Sequence, residues 1–501
     1  MKKVMILALA LSIFMLASCE DEQDPVTEEV DQSDMVIFPE HATGKIGDTM
    51  PFYDDGRWHI FYLHEQPPSP GFHPWYRMST TNFYEFEDHG EVIPVVHDLN
   101  DPELALGTGS VIKKDDTYHL FYTSHNSRVD PVQSIMHATS DDDMETWDKR
   151  PENTFNAKDT VYDEDNFRDP HVVYIPEDQA YWMLITTRAH GRGVIAYYRS
   201  TDLVNWEDQG ILFDNGSATG TTDSTSNLEC PTLVHHQGYW YLVFSEQWPT
   251  RVTRYRYSES PYGPWQEPPN DTFDGEGLYA GKVDSDGSRM ILTGWVSSDF
   301  NREPEFLWGG QLVAHELSAN DQGLLDVKPI QEVDEKISRE MPLTIDSSNI
   351  DTEGDSLDFG RSNYDYVVYD TLTGINKITG RIKLGRSDGR FGIYFGVDGH
   401  ESSFHYAFDQ TNDTIGFYDG SFIDTDQRNP KTSNRFILND DQSYDFTLIF
   451  EEGQTIEGSV VTLYLDGRRA LTGRMFNRKE VNFGFYSIDH ELTVTNLKRW
   501  K

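Results

Sequence analysis

The chain has 501 residues, a length that suits two domains better than one and gives each enough residues for a sizeable core. It is rich in aromatic residues, Gly and Asp, a composition that favours β-structure over helix. Its formal net charge of -44 argues against nucleic acid as a partner, because the phosphates would be repelled, and does not disfavour a neutral ligand such as a sugar.

The start of the chain resembles an export signal. Two lysines precede the apolar run 4–17, which is too short to form a stable membrane span. The run closes on LASC at 16–19, which resembles the bacterial lipobox, so residues 1–19 are expected to be a lipoprotein signal peptide with Cys19 as the lipidated residue. The acidic segment 20–35 is expected to be a tether. The sequence therefore predicts export and lipid anchoring at the cell envelope or the outer-membrane surface of a Gram-negative bacterium.

A segment of alternating aromatic and aliphatic residues recurs along the chain, each time after a short strand and a polar turn, as in a β-hairpin. A third strand and another turn follow each copy. A single sheet of this kind cannot bury both faces until neighbouring sheets stack around a ring. The repeats therefore predict a five-bladed β-propeller over residues 36–332. The five copies lie at 57–62, 117–122, 180–185, 238–243 and 288–293.

Two further patterns complete the fold prediction. The tryptophans that recur after the third strands, Trp147, Trp206 and Trp265, are expected to pack between blades. After the repeats, a charged linker is expected at 333–347, and alternating segments then predict an antiparallel sandwich at 348–501. The turn at 465–468 and the last strand at 492–500 resemble the concanavalin-like sandwiches appended to sugar-cleaving propellers. The predicted fold is therefore all-β, and the sandwich is expected either to cap the propeller or to bind glycan.

Candidate catalytic residues come from the innermost strand of each blade. These strands line the propeller axis, so side chains just before each repeated hairpin face a shared funnel. Three of the blades place an acid there: Asp48, Asp169 and Glu229. Carboxylates that converge in a partly desolvated funnel have their pKa values driven apart, so that one stays protonated while another stays charged. Glycosidic cleavage needs this division of labour.

Two of these acids lie in motifs that resemble a known family. FRDP at 167–170 and ECP at 229–231 resemble the RDP and EC motifs of glycoside hydrolase family 32, the β-fructofuranosidases, invertases and levanases. Residues 75–80 are similar to that family's WGHAxS segment, and residues 294–295 with 309–311 resemble its fifth blade. The resemblance covers the whole propeller and implies a propeller followed by a β-sandwich, in agreement with the repeats.

Carried over by position, the resemblance implies a role for each acid. Asp48 would be the nucleophile that attacks the anomeric carbon, Glu229 the general acid and then base, and Asp169 the stabiliser of the transition state. Arg168 would bind the sugar or orient the acid, although a buried structural ion pair with Asp169 is an alternative. No metal or phosphate site is predicted, and no cofactor is expected. The predicted substrate-binding residues are Trp75, Ser110, Arg168 and Tyr279.

The chain also departs from the family pattern. The NDPNG signature around the nucleophile is here GDTMP at 47–51, and Leu63 replaces the Gln that usually ends a Phe-Tyr-Gln segment, so contacts to fructose are expected to differ. The predicted function is hydrolysis of β-fructofuranosidic bonds, with retention of configuration, in fructans or sucrose-like oligosaccharides. Two alternatives stay open: an inverting enzyme similar to family 43 that cleaves arabinan or xylan, and a surface lipoprotein that binds glycan without turnover.

Overall fold

The computed structural model of the chain describes residues 35–65, 71–158, 160–214, 216, 224–298, 308–352, 354, 356–362, 364–385, 389–396, 403–423, 430–455 and 457–501. The expected signal peptide, with Cys19, and all of the expected tether except residue 35 lie outside these described residues. Among the described residues, no helix is long and apolar enough to cross a membrane.

Antiparallel hairpins build the first domain because short polar turns separate its alternating strands. Asp55 and Gly56, for example, have φ angles of 43° and 79°, as in a two-residue hairpin turn.

Blade one comprises β1 (Lys45–Asp54), β2 (Arg57–Glu65), β3 (Trp75–Thr80) and β4 (Glu87–Ile93). Blade two comprises β5 (Ala105–Lys114), β6 (Thr117–His125), β7 (Gln133–Ser140) and β8 (Asp148–Lys149). Blade three comprises β9 (Tyr162–Ile175), β10 (Ala180–Ala189), β11 (Arg192–Ser200) and β12 (Glu207–Asp214). Blade four comprises β13 (Leu228–His236), β14 (Tyr239–Glu246) and β15 (Val252–Ser258). Blade five comprises β16 (Leu278–Ser285), β17 (Met290–Ser297), β18 (Gly310–Ala319) and β19 (Leu325–Lys328).

The innermost strands of the blades form a closed ring. Strands β1, β5, β9, β13 and β16 contact one another in that order, and β16 in turn contacts β1. Strand β1 also pairs with β18 through Ile46 and Gly310, so that blades one and five share a continuous sheet. The fold confirms the predicted five-bladed propeller, with the first and last blades joined at this seam.

The recurring tryptophans pack between blades, as their repetition predicted. The Trp147 ring of blade two lies 6.2 Å from the Phe61 ring of blade one, and the Trp206 ring of blade three lies 5.6 Å from the Phe121 ring of blade two. Trp265 packs against the apolar cluster that blades three and four share. Each of these rings therefore seals a boundary between neighbouring blades.

Two antiparallel sheets form the second domain and confirm the predicted sandwich. The inner faces enclose a separate apolar core that includes Phe395, Phe446 and Phe483. One sheet contains β20 (Glu340–Met341), β22 (Ser356–Phe359), β24 (Ile375–Leu384), β29 (Ser443–Glu451), β30 (Ser459–Leu465), β31 (Arg469–Met475) and β33 (Leu492–Trp500). The other contains β21 (Ile345–Ser348), β23 (Asp365–Leu372), β25 (Arg390–Gly396), β26 (Ser403–Asp409), β27 (Thr414–Asp419), β28 (Thr432–Arg435) and β32 (Val481–Ile488).

The connection between the domains is ordered and packed. Residues 333–347, expected to be a linker, contain most of helix α1 (Gln331–Lys336) and the short strands β20 and β21 up to residue 347, which pair with sandwich strands. Val333 and Ile337 are buried in an apolar cluster that also holds propeller and sandwich residues. The two domains therefore share part of their core.

A buried polar network crosses the same interface. Asp274, in the loop before β16, accepts hydrogen bonds from the backbone N–H (2.8 Å) and the hydroxyl (2.5 Å) of Thr472 on β31. The same carboxylate lies 3.1 Å from Nε2 of His315 on β18, whose Nδ1 lies 2.9 Å from the Tyr464 hydroxyl. Since these groups are almost completely buried, each depends on the others for its hydrogen bonds.

We expect Asp274→Ala to destabilise the protein by about 3 kcal/mol, because it removes the buried partner of His315 Nε2 and the acceptor of the Thr472 backbone N–H. Urea unfolding of the full chain measures this loss. Asp321→Ala, at an exposed carboxylate, is the matched control and should change the unfolding free energy by less than about 0.5 kcal/mol. Equal stability of the two variants would show that the network does not hold the domains together.

Candidate active site

The functional side chains lie where the inner strands leave regular β-pairing. Each innermost strand shifts its register against its hairpin partner at an equivalent place, as in a β-bulge; these strands are β1, β5, β9, β13 and β16. Asp48, Asp169, Cys230 and Ala280 have φ angles of 39°, 58°, 54° and 51° at these bulges. A left-handed residue next to a register shift re-aims the neighbouring side chains, and such strain often accompanies function.

The bulges surround a cavity of about 450 Å³ at one end of the propeller axis, called here the catalytic cavity. The three predicted acids, Asp48, Asp169 and Glu229, all line it. The left-handed position of the bulge holds Asp48 and Asp169, whereas Glu229 occupies the residue before it. The structure therefore brings together acids from blades one, three and four.

Asp48 is half-buried among donors from two other blades. The Thr108 hydroxyl donates to its Oδ2 at 2.8 Å, and the Trp295 indole N–H donates to its Oδ1 at 3.0 Å. Burial raises the pKa of Asp48 above its usual value, and these two hydrogen bonds oppose the rise because they stabilise the carboxylate. Each oxygen is held by one donor, which fixes the plane of the carboxylate.

Asp169 is fixed through one of its two oxygens. The backbone N–H of Cys230 donates to Oδ2 at 2.9 Å, and the Thr186 hydroxyl lies 3.3 Å from the same atom. Burial raises the pKa of Asp169 to about 6, against the lowering effect of Arg168, whose Nε lies 3.8 Å from Oδ2. These hydrogen bonds and this ion pair, made by described residues, all involve Oδ2.

Glu229 has a donor on each oxygen. Arg168 Nη2 donates to Oε1 at 2.8 Å, and the Tyr279 hydroxyl donates to Oε2 at 2.5 Å. Although burial opposes it, the charges of Glu229 and Asp169 raise the pKa of Arg168, which keeps the guanidinium charged. Burial, reinforced by Glu229, raises the pKa of Tyr279 well above its usual value, so its hydroxyl keeps its proton. This geometry fits the orienting role expected of Arg168, and its 3.8 Å contact with Asp169 fits the ion-pair alternative.

Two of the predicted sugar-binding residues, Trp75 and Ser110, do not line the catalytic cavity, so the role predicted for them is corrected. The Trp75 side chain is fully buried on β3, where its indole N–H donates to the Gly107 carbonyl at 2.9 Å, so it supports the wall of the catalytic cavity from behind. The Ser110 hydroxyl accepts from the backbone N–H of Val172 at 2.9 Å. Ser110 follows the bulge of β5 and lines a second cavity, of about 460 Å³, which residues further along the inner strands enclose. We call this second space the far cavity.

Several residues that line the catalytic cavity or lie directly behind its wall were missed or only touched by the sequence analysis. Trp295 was noted only as part of the fifth-blade resemblance, and the sequence gives no signal that its indole would reach Asp48. The Arg251 guanidinium lies 4.0 Å from the centroid of the Tyr279 ring and 4.9 Å from that of Trp295. His73 and Trp308 stack with their centroids 4.0 Å apart at the cavity wall. Loop residues of this kind have no periodic pattern that would predict their position.

The cavity suits acid and base chemistry on a polar, uncharged ligand. It contains one carboxylate held by two donors, one carboxyl group with a pKa of about 6 and one carboxylate between a guanidinium and a phenol. Perturbed carboxyl groups that share a concave site are typical of catalytic centres. Among the described residues, no group of His, Cys, Asp and Glu is arranged to hold a metal ion.

Comparison with known proteins agrees with this geometry. The model of the glycosyl hydrolases family 32 N-terminal domain matches residues 48–329, more than half of the chain. Sucrose-6-phosphate hydrolase of Staphylococcus xylosus is 28% identical over 184 residues, which cover 36% of this chain and 35% of that protein. The insoluble β-fructofuranosidase isoenzyme CWINV1 of Arabidopsis thaliana is 25% identical over 176 residues, 33% of this chain and 30% of its own. The matched segment spans about a third of these relatives.

Solved structures share the fold over nearly the whole chain. Sucrose-6-phosphate hydrolase from Lactobacillus gasseri superposes with a TM-score of 0.69 at 17% identity, covering 94% of this chain and 93% of that one. Exo-inulinase from Aspergillus awamori superposes with a TM-score of 0.68 at 16% identity, covering 93% of this chain and 97% of its own. The family match confirms the resemblance carried by the RDP and EC motifs and decides against family 43. The chain belongs to glycosyl hydrolases family 32.

Proposed function

We propose that the protein hydrolyses β-fructofuranosidic bonds in fructans or sucrose-like oligosaccharides with retention of configuration. The observation that carries the proposal is that Asp48, Asp169 and Glu229 share one cavity but have different partners. Membership of family 32, and similarity to proteins named sucrose-6-phosphate hydrolase, β-fructofuranosidase and exo-inulinase, support the choice of bond.

In the proposed mechanism, Asp48 attacks the anomeric carbon and forms a covalent fructosyl ester. The donors Thr108 and Trp295 hold its carboxylate in one orientation, which reduces the rearrangement needed before attack. Their hydrogen bonds also oppose the effect of burial on the Asp48 pKa, which favours the ionised form needed for attack.

Glu229 protonates the leaving oxygen in the same step and then removes a proton from the water that hydrolyses the ester. Its two partners suit both states of the carboxyl group. Arg168 stabilises the ionised form, and the Tyr279 hydroxyl donates to that form. When Glu229 carries a proton, the same hydroxyl can accept instead, because a phenol both donates and accepts.

Asp169 stabilises the sugar during these steps. Its Oδ2 is fixed by Cys230 and Thr186, so Oδ1 faces a sugar hydroxyl, and that hydrogen bond strengthens as positive charge develops on the ring. Arg168 and Tyr279 complete the proposed sugar contacts. Leu63 lines the cavity at the position where the family usually has Gln, so it contributes an apolar contact in place of an amide hydrogen bond.

Product analysis tests this function. The purified protein is expected to release fructose, or fructo-oligosaccharides, from at least one of sucrose, inulin and levan, and to leave arabinan and xylan intact. NMR of the first turnovers should show the β-anomer of the released sugar, since two successive displacements retain configuration. A product that first appears inverted would remove the nucleophile role from Asp48.

We expect Glu229→Gln to lower kcat by a factor of about 10² to 10⁴, because the amide cannot transfer a proton to the leaving group. The amide keeps the size of the side chain, so sugar binding measured by calorimetry should be largely preserved. Glu152→Gln, at an exposed acid, is the matched control and should keep wild-type turnover. Unchanged turnover in Glu229→Gln would instead favour a different acid, and inactivity of the wild type would favour a glycan-binding protein.

We also propose that the chain is exported and attached to the membrane by lipid on Cys19. The support is the sequence alone: two lysines, an apolar run and LASC at 16–19. Mass spectrometry of the mature N-terminus should find a diacylglyceryl group on Cys19, and Cys19→Ser should leave the membrane fraction. An unmodified N-terminus upstream of residue 19 in the native protein would contradict the proposal.

A further inference from the structure

Lys282 is a buried cation that the proposed mechanism does not use. It follows the bulge of β16, and its side chain is only 2% exposed. It lines the far cavity, yet it lies within electrostatic reach of Asp48, Asp169 and Cys230, which line the catalytic cavity. Lys282 therefore stands in the wall between the two cavities, beneath the catalytic acids.

The ammonium group of Lys282 bonds to backbone. Its Nζ donates to the Pro231 carbonyl at 2.9 Å, in the bulge of β13 that also carries Glu229 and the Cys230 N–H. Since this acceptor is a neutral carbonyl, the positive charge acts on the carboxylates through space. In a partly dry interior such an interaction is much stronger than it would be in water.

Several of the groups packed around Lys282 carry no charge near pH 7. Burial lowers the pKa of His171 well below its usual value and raises that of Cys230 well above, so both are neutral near pH 7. Burial raises the pKa of Asp284 to about 7, against the hydrogen bonds that its carboxylate accepts from the backbone N–H groups of Tyr53 and Ser285, so this group is only partly ionised near pH 7. The titratable and charged groups that face this region are Asp48 and Tyr53 on β1, Arg168, Asp169, His171 and Tyr174 on β9, Glu177 in the turn after β9, Glu229, Cys230 and His235 on β13, and Tyr279 and Asp284 on β16.

We propose that Lys282 is a positioning residue whose charge keeps Asp48 and Asp169 ionised and whose hydrogen bond to Pro231 holds the bulge of β13 in place. The inference rests on the proposed function, since it concerns the acids assigned there. Its physical basis is that burial pushes a carboxyl group towards its neutral form and a nearby cation opposes that change. Burying the charged lysine lowers the free energy of unfolding, so the proposed effect of Lys282 on the two acids comes with a loss of stability.

The test compares the pH profiles of kcat/KM for the wild type, Lys282→Met and Lys282→Gln. Removing the cation raises the pKa of the acid that must be ionised, so the acid limb should move to higher pH by at least about 0.5 unit. Burial lowers the pKa of Lys282 itself to about 8. The wild type therefore loses the same charge above pH 8, and its rate and that of Lys282→Met should converge there.

Lys282→Gln separates the charge from the hydrogen bond, because an amide can still donate to the Pro231 carbonyl. The acid limb of this variant should shift as in Lys282→Met. The electrostatic role would be overturned if the acid limb of Lys282→Gln stayed at the pH of the wild type, or if the variants lost the same fraction of activity at every pH. Lys113→Met is the matched control, since Lys113 pairs with Asp54 outside the catalytic cavity and should leave the profile unchanged.

Thermal unfolding gives a readout that needs no turnover. The pKa of Lys282 is lower in the folded protein than in the unfolded chain, so its charge destabilises the fold below pH 8. Lys282→Met should therefore raise the unfolding temperature at pH 7. If Lys282→Met lowered the unfolding temperature and left the acid limb of the pH profile unmoved, the role of Lys282 would be structural only.

Inactivity of the wild type on all fructosides would contradict the proposed function, whereas an active wild type with unshifted pH profiles in the variants would contradict this inference alone.

Discussion

The site depends on one backbone constraint, the interruption of β-pairing at the same level of every innermost strand. A regular strand sends successive side chains to opposite faces, so adjacent residues would not both reach the cavity. The bulges remove that limit: on β9 both Arg168 and Asp169 line the cavity, and on β13 both Glu229 and Cys230 do. The left-handed Cys230 also turns its N–H towards Asp169, so the distortion of one blade supplies a hydrogen bond to the next.

The bulges bring several ionisable side chains into one cavity, where partial burial makes ionisation of a carboxyl group less favourable than in water. Three acids lie in a partly buried funnel, and burial raises the pKa of two of them, Asp48 and Asp169. The polar partners of the three acids come from several blades: Arg168 from blade three, Tyr279 from blade five and Thr108 from blade two. Asp48 and Glu229 thus depend on residues of other blades, whereas Asp169 depends on Arg168 of its own strand and on the Cys230 N–H of blade four.

The fold was predictable because its signals are repeated. Five copies of a hairpin pattern specify a ring of blades, and alternation specifies the sandwich strands. The acids were predictable because inner-strand position and the RDP and EC motifs coincide at Asp169 and Glu229, while Asp48 was found by position within a divergent segment.

Ser110 was misplaced because the bulge of β5 precedes it, so residues on either side of one bulge belong to different cavities. Trp75 was misplaced because its motif marks a packed third strand, where the indole serves the backbone of Gly107. Arg251 and Trp308 could not be found, since loops carry no periodicity that ties a residue to a distant strand.

The seam between blades one and five has a consequence for how the site comes into being. All three carboxylates have been synthesised once the chain reaches Glu229, but Asp48 gains its indole donor only when Trp295 of blade five has been added. The same strand that carries Asp48 closes the ring by pairing with β18. A nascent chain that ends before blade five thus possesses every acid and still lacks the site, which is a property of the completed circle rather than of any segment of the sequence.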